Sequence, residues 1–441
     1  MHFVRYGIAK DGPLIRDTLV HPEDILVFKA NLVAHMTDGL SAFLYSWRPD
    51  SPAYVIDPFL YAFQQDPEQF YSSTMDSVGN PKLKKPVEKL IGAYGMPLKK
   101  AMDEFRPIAP EDFQDPLDDF VGAVCEFQTS KLRATGTDLE SFFEYLEIET
   151  QAGPRILIAP SASLDGARAE DWLFANERAA RKTLELYPMT PVYAQVIISQ
   201  DVLWDDGLRQ RIAERYKELG LAGLIVWIGG FAEHEAPVPL LSKYVQFLRE
   251  LPSIPKIIWF GSYFSVLLAR YFPEYQIGGV VHGPGYGEDR EIDPVGGGFP
   301  TAKFYVPALH RRLNFRSALM AVRPYLDTPE SYYKFVCRCT QCRNLVERLG
   351  PSQAFARYGT ERTIFYQRHG MEVSADVPLS ETQTIATMHF LHVKEMEYHG
   401  APLTWNEARQ GLKEAQERFE KRIPSAEIAH LKNWIRVLES R

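Results

Sequence analysis

The chain has 441 residues, of which 45% are hydrophobic and 24% charged, with a formal net charge of −8 at pH 7. That size accommodates one large domain with appendages or two domains, and the composition is that of an ordinary globular protein. The acidic total argues against a surface coated in basic charge, apolar runs such as "LAGLIVWIGGF" are too short to span a membrane, and four cysteines do not make a disulfide framework. The opening "MHFVRYGIAKDGP" has no apolar core behind its basic residues, so no secretory signal is expected. A reducing cytoplasm is the expected compartment.

The first strands expected along the chain are "DILVFKA" and "AYVIDPF", followed over about 60–150 by an irregular stretch rich in Pro, Asp and Phe. From about 154 to 290 β-branched runs alternate with amphipathic stretches. The runs "RILIAP", "PVYAQVIIS", "GLIVWIGGF", "KIIWFGS" and "QIGGVVHG" are continuously apolar, as strands covered on both faces are. Helical spacing fills the intervals, in "AEDWLFANERAARKTLELY", "DDGLRQRIAERYKELG" and "LLSKYVQFLREL". Six or seven such units predict an α/β fold, a (β/α)₈ barrel over residues 1–300 with an insertion at about 60–150. After residue 300 the alternation stops. Residues 301–441 are expected to form a cysteine-bearing subdomain and C-terminal helices, among them "ATMHFLHVKEMEYHG", "WNEARQGLKEAQERFEKRI" and a last one from Ser425.

Three of the four cysteines, Cys337, Cys339 and Cys342, fall in "FVCRCTQCRN". C-x-C-x-x-C brings three thiolates within reach of one ion, and zinc accepts such a set with a fourth ligand from elsewhere. Cys125, in "VGAVCEFQ", reads as a small buried apolar residue. Two downstream histidines compete as the fourth ligand, His369 and His389. His392 and Glu395 follow His389 at helical spacing and read as solvent-facing. Around the cysteines, between Ala302 and Arg348, nine Lys or Arg stand against three acids, an excess of six. Arg311, Arg312 and Arg316 are the candidate phosphate contacts there.

The cysteine motif and "TIATMHFLHVKEMEY" together resemble the tRNA-guanine transglycosylase superfamily, which is a (β/α)₈ barrel with a zinc subdomain near its C-terminal end. The resemblance implies His389 as fourth ligand, at the start of a helix. It extends more weakly through "GLIVWIGGFAEHE", where Gly229 and Gly230 fall on paired glycines that let the backbone approach a purine. In "YVIDPFLYAF", Asp57 falls on the family's general acid/base aspartate. The family's nucleophilic aspartate, at the end of the last barrel strand, falls on Gly278 or Gly279. Glu288 or Asp289, in the loop after that strand, could take the nucleophile's place; His282, at the strand's end, could act as a base toward water; or the covalent step is lost. The function implied is exchange of guanine for a 7-deazaguanine-type base in tRNA or DNA. Two other readings are carried beside it. One is a catalytically silent paralogue that binds nucleic acid for a partner subunit; a homodimer is a further expected partner. The other is a zinc-stabilised barrel hydrolase of small molecules. An open, polar mouth at Asp57 favours an enzyme, and a mouth plugged by Phe59 and Tyr61 favours the silent reading.

Overall fold

In the computed structural model, the described residues are 1–7, 11–19, 21–48, 52–75, 81–132, 153–284, 288–292, 299–368, 371–400, 402 and 404–440. Eight strands form one parallel sheet. They are β1 (His2–Arg5), β2 (Ile25–Lys29), β3 (Tyr54–Asp57), β4 (Leu157–Ala159), β5 (Val192–Ile198), β6 (Gly223–Ile228), β7 (Lys256–Trp259) and β8 (Ile277–His282). Their order is β3-β2-β1-β8-β7-β6-β5-β4, and the two ends meet where the Arg155 N–H donates to the Tyr54 carbonyl at 2.8 Å. The sheet is thus nearly closed into a barrel surrounded by helices. Every residue of β5 and β6 is buried, as strands sandwiched between barrel interior and helical shell must be.

β1 was not anticipated. It is four residues long, begins with His and ends with Arg, and so shows no apolar run, yet all four residues are buried between β2 and β8. Gly279 lets β1 come close: a Cβ there would stand 2.4 Å from the Phe3 ring. The third crossover helix is Leu117–Ser130, at the end of the stretch read as irregular; it follows a short hairpin, Tyr71–Met75 with Pro81–Leu83, and helices Lys85–Tyr94 and Met96–Asp103. Residues 133–150 of that stretch lie outside the described residues.

After β8 the chain does not return directly with an eighth helix. It first builds a subdomain from the antiparallel pair Lys303–Val306 and Arg311–Asn314, short helices that include Thr340–Leu349 and Pro351–Ala356, and a hairpin of Glu361–Arg368 with Met371–Pro378. The helix Ser380–His399 then packs between the helix after β1, Asp11–Thr18, and the helix after β7, Tyr263–Tyr271. It fills the eighth helical position of the barrel. The last helix, Ala429–Glu439, packs on Val238–Glu250, with Trp434 Nε1 donating to the Glu233 carbonyl at 2.9 Å. One buried core runs through both parts, so the helices of residues 301–441 also complete the barrel's outer layer. Among the described residues no helix is long and apolar enough to cross a membrane.

A candidate metal centre and a cationic cleft

The three cysteines and His389 converge. Cys339 caps the N-terminus of helix Thr340–Leu349 and accepts from the Cys342 N–H, while Cys337 accepts from the Cys339 N–H at 3.3 Å. Their sulfurs lie 3.7, 3.4 and 3.5 Å from His389 Nδ1, for Cys337, Cys339 and Cys342 in turn. All four residues are buried, and their ligand atoms lie within 4.8 Å of one another. A tetrahedral ion with S bonds of about 2.3 Å and N bonds of about 2.0–2.1 Å places sulfur and nitrogen about 3.5 Å apart, which is the spacing found. On the other side of the ring, His389 Nε2 lies 2.7 Å from the Tyr305 carbonyl. That acceptor requires the proton on Nε2 and leaves the Nδ1 lone pair facing the sulfurs. Burial opposes ionisation of the thiols and pushes Cys337 well up. Cys342 goes the other way: against its burial, hydrogen bonds from the neighbouring Cys337 and Cys339 thiols hold it well below the ordinary thiol range. The donor set therefore fits a bound cation.

His389 sits in the middle of helix Ser380–His399, not at its start. The long interval from Cys342 is occupied by helix Pro351–Ala356 and the hairpin, neither of which was anticipated. His369 lies outside the described residues. Cys125 stands apart, buried against Thr183, and burial pushes its thiol up to about 11. His392 and Glu395 are half-buried and are not part of the cluster.

At the C-terminal ends of the strands, Asp57 is sealed. Its carboxylate is fully buried and accepts from Arg5 Nη2 at 2.8 Å, Tyr61 Oη at 2.8 Å, Gln195 Nε2 at 3.3 Å and the Phe59 N–H at 3.1 Å. Tyr61 packs edge-on against Trp227, and Trp227 leans on Phe260, so aromatic rings fill the space above the carboxylate. Gly229 and Gly230 are covered by the chain itself. The Gly230 N–H donates to the Arg290 carbonyl, and Cβ atoms on the pair would stand 2.7 Å from Ile292 and 2.3 Å from Glu291. The close approach these glycines permit is taken by the loop after β8, where the resemblance implied a purine.

The remaining candidates are dispersed. Gly278 and Gly279 lie at the start of β8, the end remote from the mouth, so no side chain there would reach a ligand in it. His282 was expected to face the mouth. It is fully buried on the barrel's outer side instead, stacked toward His2 and Tyr398 and against Phe390, with its Nε2 at 2.8 Å from His2 Nε2. His2 in turn meets Asp24 at 2.9 Å, which also meets His399 at 3.0 Å. Glu288 is buried against Lys394 at 2.5 Å, and Lys394 also holds Glu397 at 2.7 Å, a network that locks the loop after β8 to the eighth helix. Asp289 is exposed. The basic pair splits by strand alternation. Arg311 is buried beside Glu427 and Glu235, whereas Arg312 turns the other way, over the Phe390 ring at 3.7 Å. Arg316 is exposed on the following helix.

Arg312 faces a cleft of about 640 Å³ between the barrel mouth and the subdomain. Among the described residues, five basic side chains line it, Arg5, Lys29, Arg290, Lys303 and Arg312, against a single acid, Asp11. The opposite wall is formed by residues 380–387, the first turns of the helix that carries His389. Arg5 Nε and Nη1 are buried and have no hydrogen-bond partner among the described residues, although Nη2 holds Asp57. Burial and the adjacent Arg5 and Arg290 guanidiniums lower the Lys29 amine to about 6, and burial beside Arg5 also lowers Arg290. So much like charge in one concave, partly desolvated place favours an anion. Arg5, Lys29 and Arg290 were not singled out from the sequence. Lys29 carried the clearer signal, as the last residue of a recognised parallel strand, where barrels present their ligand-facing groups. In comparison with known proteins, no family model, no curated protein and no solved structure matches this chain.

Proposed function

We propose that the chain is a nucleic-acid-binding barrel of the transglycosylase type, with a zinc-stapled subdomain, that has given up base exchange. The observation that carries the reading is the cleft: among the described residues, four cations and the Lys29 amine face one acid, with Arg5 N–H groups that have no partner there, in a chain whose overall charge is −8. Phosphate groups of an RNA or DNA strand supply the charge and the acceptors such a cleft lacks. Zinc suits a Cys₃His set, and four protein ligands close the site, so its role is structural. It fixes the middle of helix Ser380–His399, whose first turns form the cleft wall.

The sealed Asp57 is what favours the silent reading over the enzyme. As a second reading, base exchange requires Tyr61 to leave Asp57, opening a carboxylate that already stands at the C-terminal end of β3. Recovering the native protein with its nucleic acid, sequencing that nucleic acid and analysing its nucleosides by mass spectrometry tests both. Bound strands with ordinary bases support binding alone, 7-deazaguanine-type bases formed on incubation support exchange, and no bound nucleic acid removes both.

A further inference from the structure

The cleft holds one group whose chemistry differs from that of its neighbours. Lys29 ends β2 in register with Asp57 of β3, but Asp57 is engaged by Arg5, Tyr61 and Gln195. The Lys29 Nζ lies 5.4 Å from the Phe59 ring centroid, and among the described residues no carboxylate pairs with it at salt-bridge distance. The charged groups around it are Arg5 from β1, Arg290 from the loop after β8, and Asp57; Asp11, Lys303 and Arg312 line the rest of the cleft. Guanidiniums keep their protons under such crowding and an ammonium does not. The result is an amine in a pocket of guanidiniums.

We propose that Lys29 is a nucleophile, and that its amine condenses with the carbonyl carbon of a small phosphorylated aldehyde or ketone whose phosphate is held by Arg5, Arg290 and Arg312. The Nζ lone pair forms a bond to the carbonyl carbon while the C=O π electrons move to oxygen, and a proton passes from the nitrogen to that oxygen. The resulting carbinolamine loses water to give an imine. Amine and carbonyl compound enter, imine and water leave, and nothing is oxidised or reduced. The position at a strand's C-terminal end, the guanidinium cluster beside it and the lowered amine, about 6, all serve this step. At pH 7 such an amine is unprotonated on the order of 10³-fold more often than an ordinary lysine. The inference needs only the cleft and does not rest on the nucleic-acid reading.

The probe is pyridoxal 5′-phosphate, followed by borohydride, which reduces the imine to a stable secondary amine. The full chain at pH 7 is expected to take up one equivalent, located by peptide mapping at Lys29, with uptake rising through about pH 6. Inorganic phosphate should compete, and pyridoxal without its phosphate should label Lys29 at least about 10-fold more slowly, since it forfeits the charge-assisted contacts. Lys29→Met should lose that equivalent while retaining metal and circular dichroism. Label spread over Lys303 and surface lysines with Lys29 unmodified overturns the proposal, as does equal labelling by pyridoxal. Should Lys29→Met not fold, the peptide map and phosphate competition on the native chain still decide. Labelling of Lys29 without nucleic-acid affinity would refute the binding function alone, and affinity without labelling would refute this inference alone.

Discussion

Removing one ligand of the metal centre is the perturbation whose size follows most directly from the structure. Cys342 and His389 are 47 residues apart, and an ion bound to both ties off that segment in the unfolded chain. Treated as a cross-link, a loop of that length is worth roughly 4 kcal/mol of chain entropy at 25 °C. Unfolding entropy of about 2.1 cal/mol/K per residue, summed over the whole chain, is about 0.9 kcal/mol/K, so the melting temperature should fall by about 4–5 °C. His389→Ala should add the loss of the stack on Phe304 and of the bond to the Tyr305 carbonyl, both buried. The assay pairs elemental analysis of the natively purified protein with thermal unfolding by circular dichroism. Wild type should hold one equivalent of metal, Cys342→Ala and His389→Ala close to none, and Cys125→Ala the full equivalent. Protein that carries no metal as purified, or a Cys342→Ala variant with unchanged metal content and melting temperature, refutes the reasoning.

Asp57→Ala leaves the Arg5 guanidinium buried without its partner, which should lower stability by about 3–5 kcal/mol, measured by urea unfolding; a loss below 1 kcal/mol would mean that the carboxylate is not the anchor of that network. Lys29, lowered to about 6 in the folded state, binds a proton more readily unfolded than folded. Stability should therefore rise with pH from about 6 toward about 10.4, and Lys29→Met should be more stable than wild type near neutrality and lack that rise in pH-dependent melting. Arg311→Glu places a carboxylate against Glu427 and Glu235, so it should reduce thermal stability rather than nucleic-acid affinity; the opposite outcome in melting and binding assays would put Arg311 in the cleft.

The barrel was legible because seven of its strands are short, largely apolar runs separated by helical spacing, the mark of burial on both faces. β1 was not, because His2 and Arg5 are held inside by Asp24 and Asp57, partners distant in sequence. The hairpin Glu361–Arg368 with Met371–Pro378 escaped notice for the converse reason: most of its residues are exposed, so no apolar pattern was imposed on it. In the metal centre, C-x-C-x-x-C fixes three ligands within one turn, and the resemblance supplied His389. Catalytic expectations fared differently. Asp57, Gly229 and Gly230 do lie at the ends of β3 and β6, but what covers them, Tyr61 and residues 290–292, depends on packing that no local pattern encodes. His282 turned outward because strand alternation and the eighth helix, arriving a hundred residues later, decide which face is capped. The cleft assembles β1, β2, the loop after β8 and the subdomain, so its charge was visible only in part, through Lys303 and Arg312.

The central claim is that this cleft holds phosphate. The most direct measurement is the affinity of a labelled single-stranded oligonucleotide, by fluorescence anisotropy, as a function of salt, for wild type and for the Lys303→Glu/Arg312→Glu double variant. Both substituted residues line the cleft at its subdomain side. Wild type should bind with a steep salt dependence, and the double variant should bind more weakly with the slope of log K against log salt reduced by about 1.4, the loss expected for two phosphate contacts on a single strand. Equal affinity and equal slope in the two proteins would contradict it.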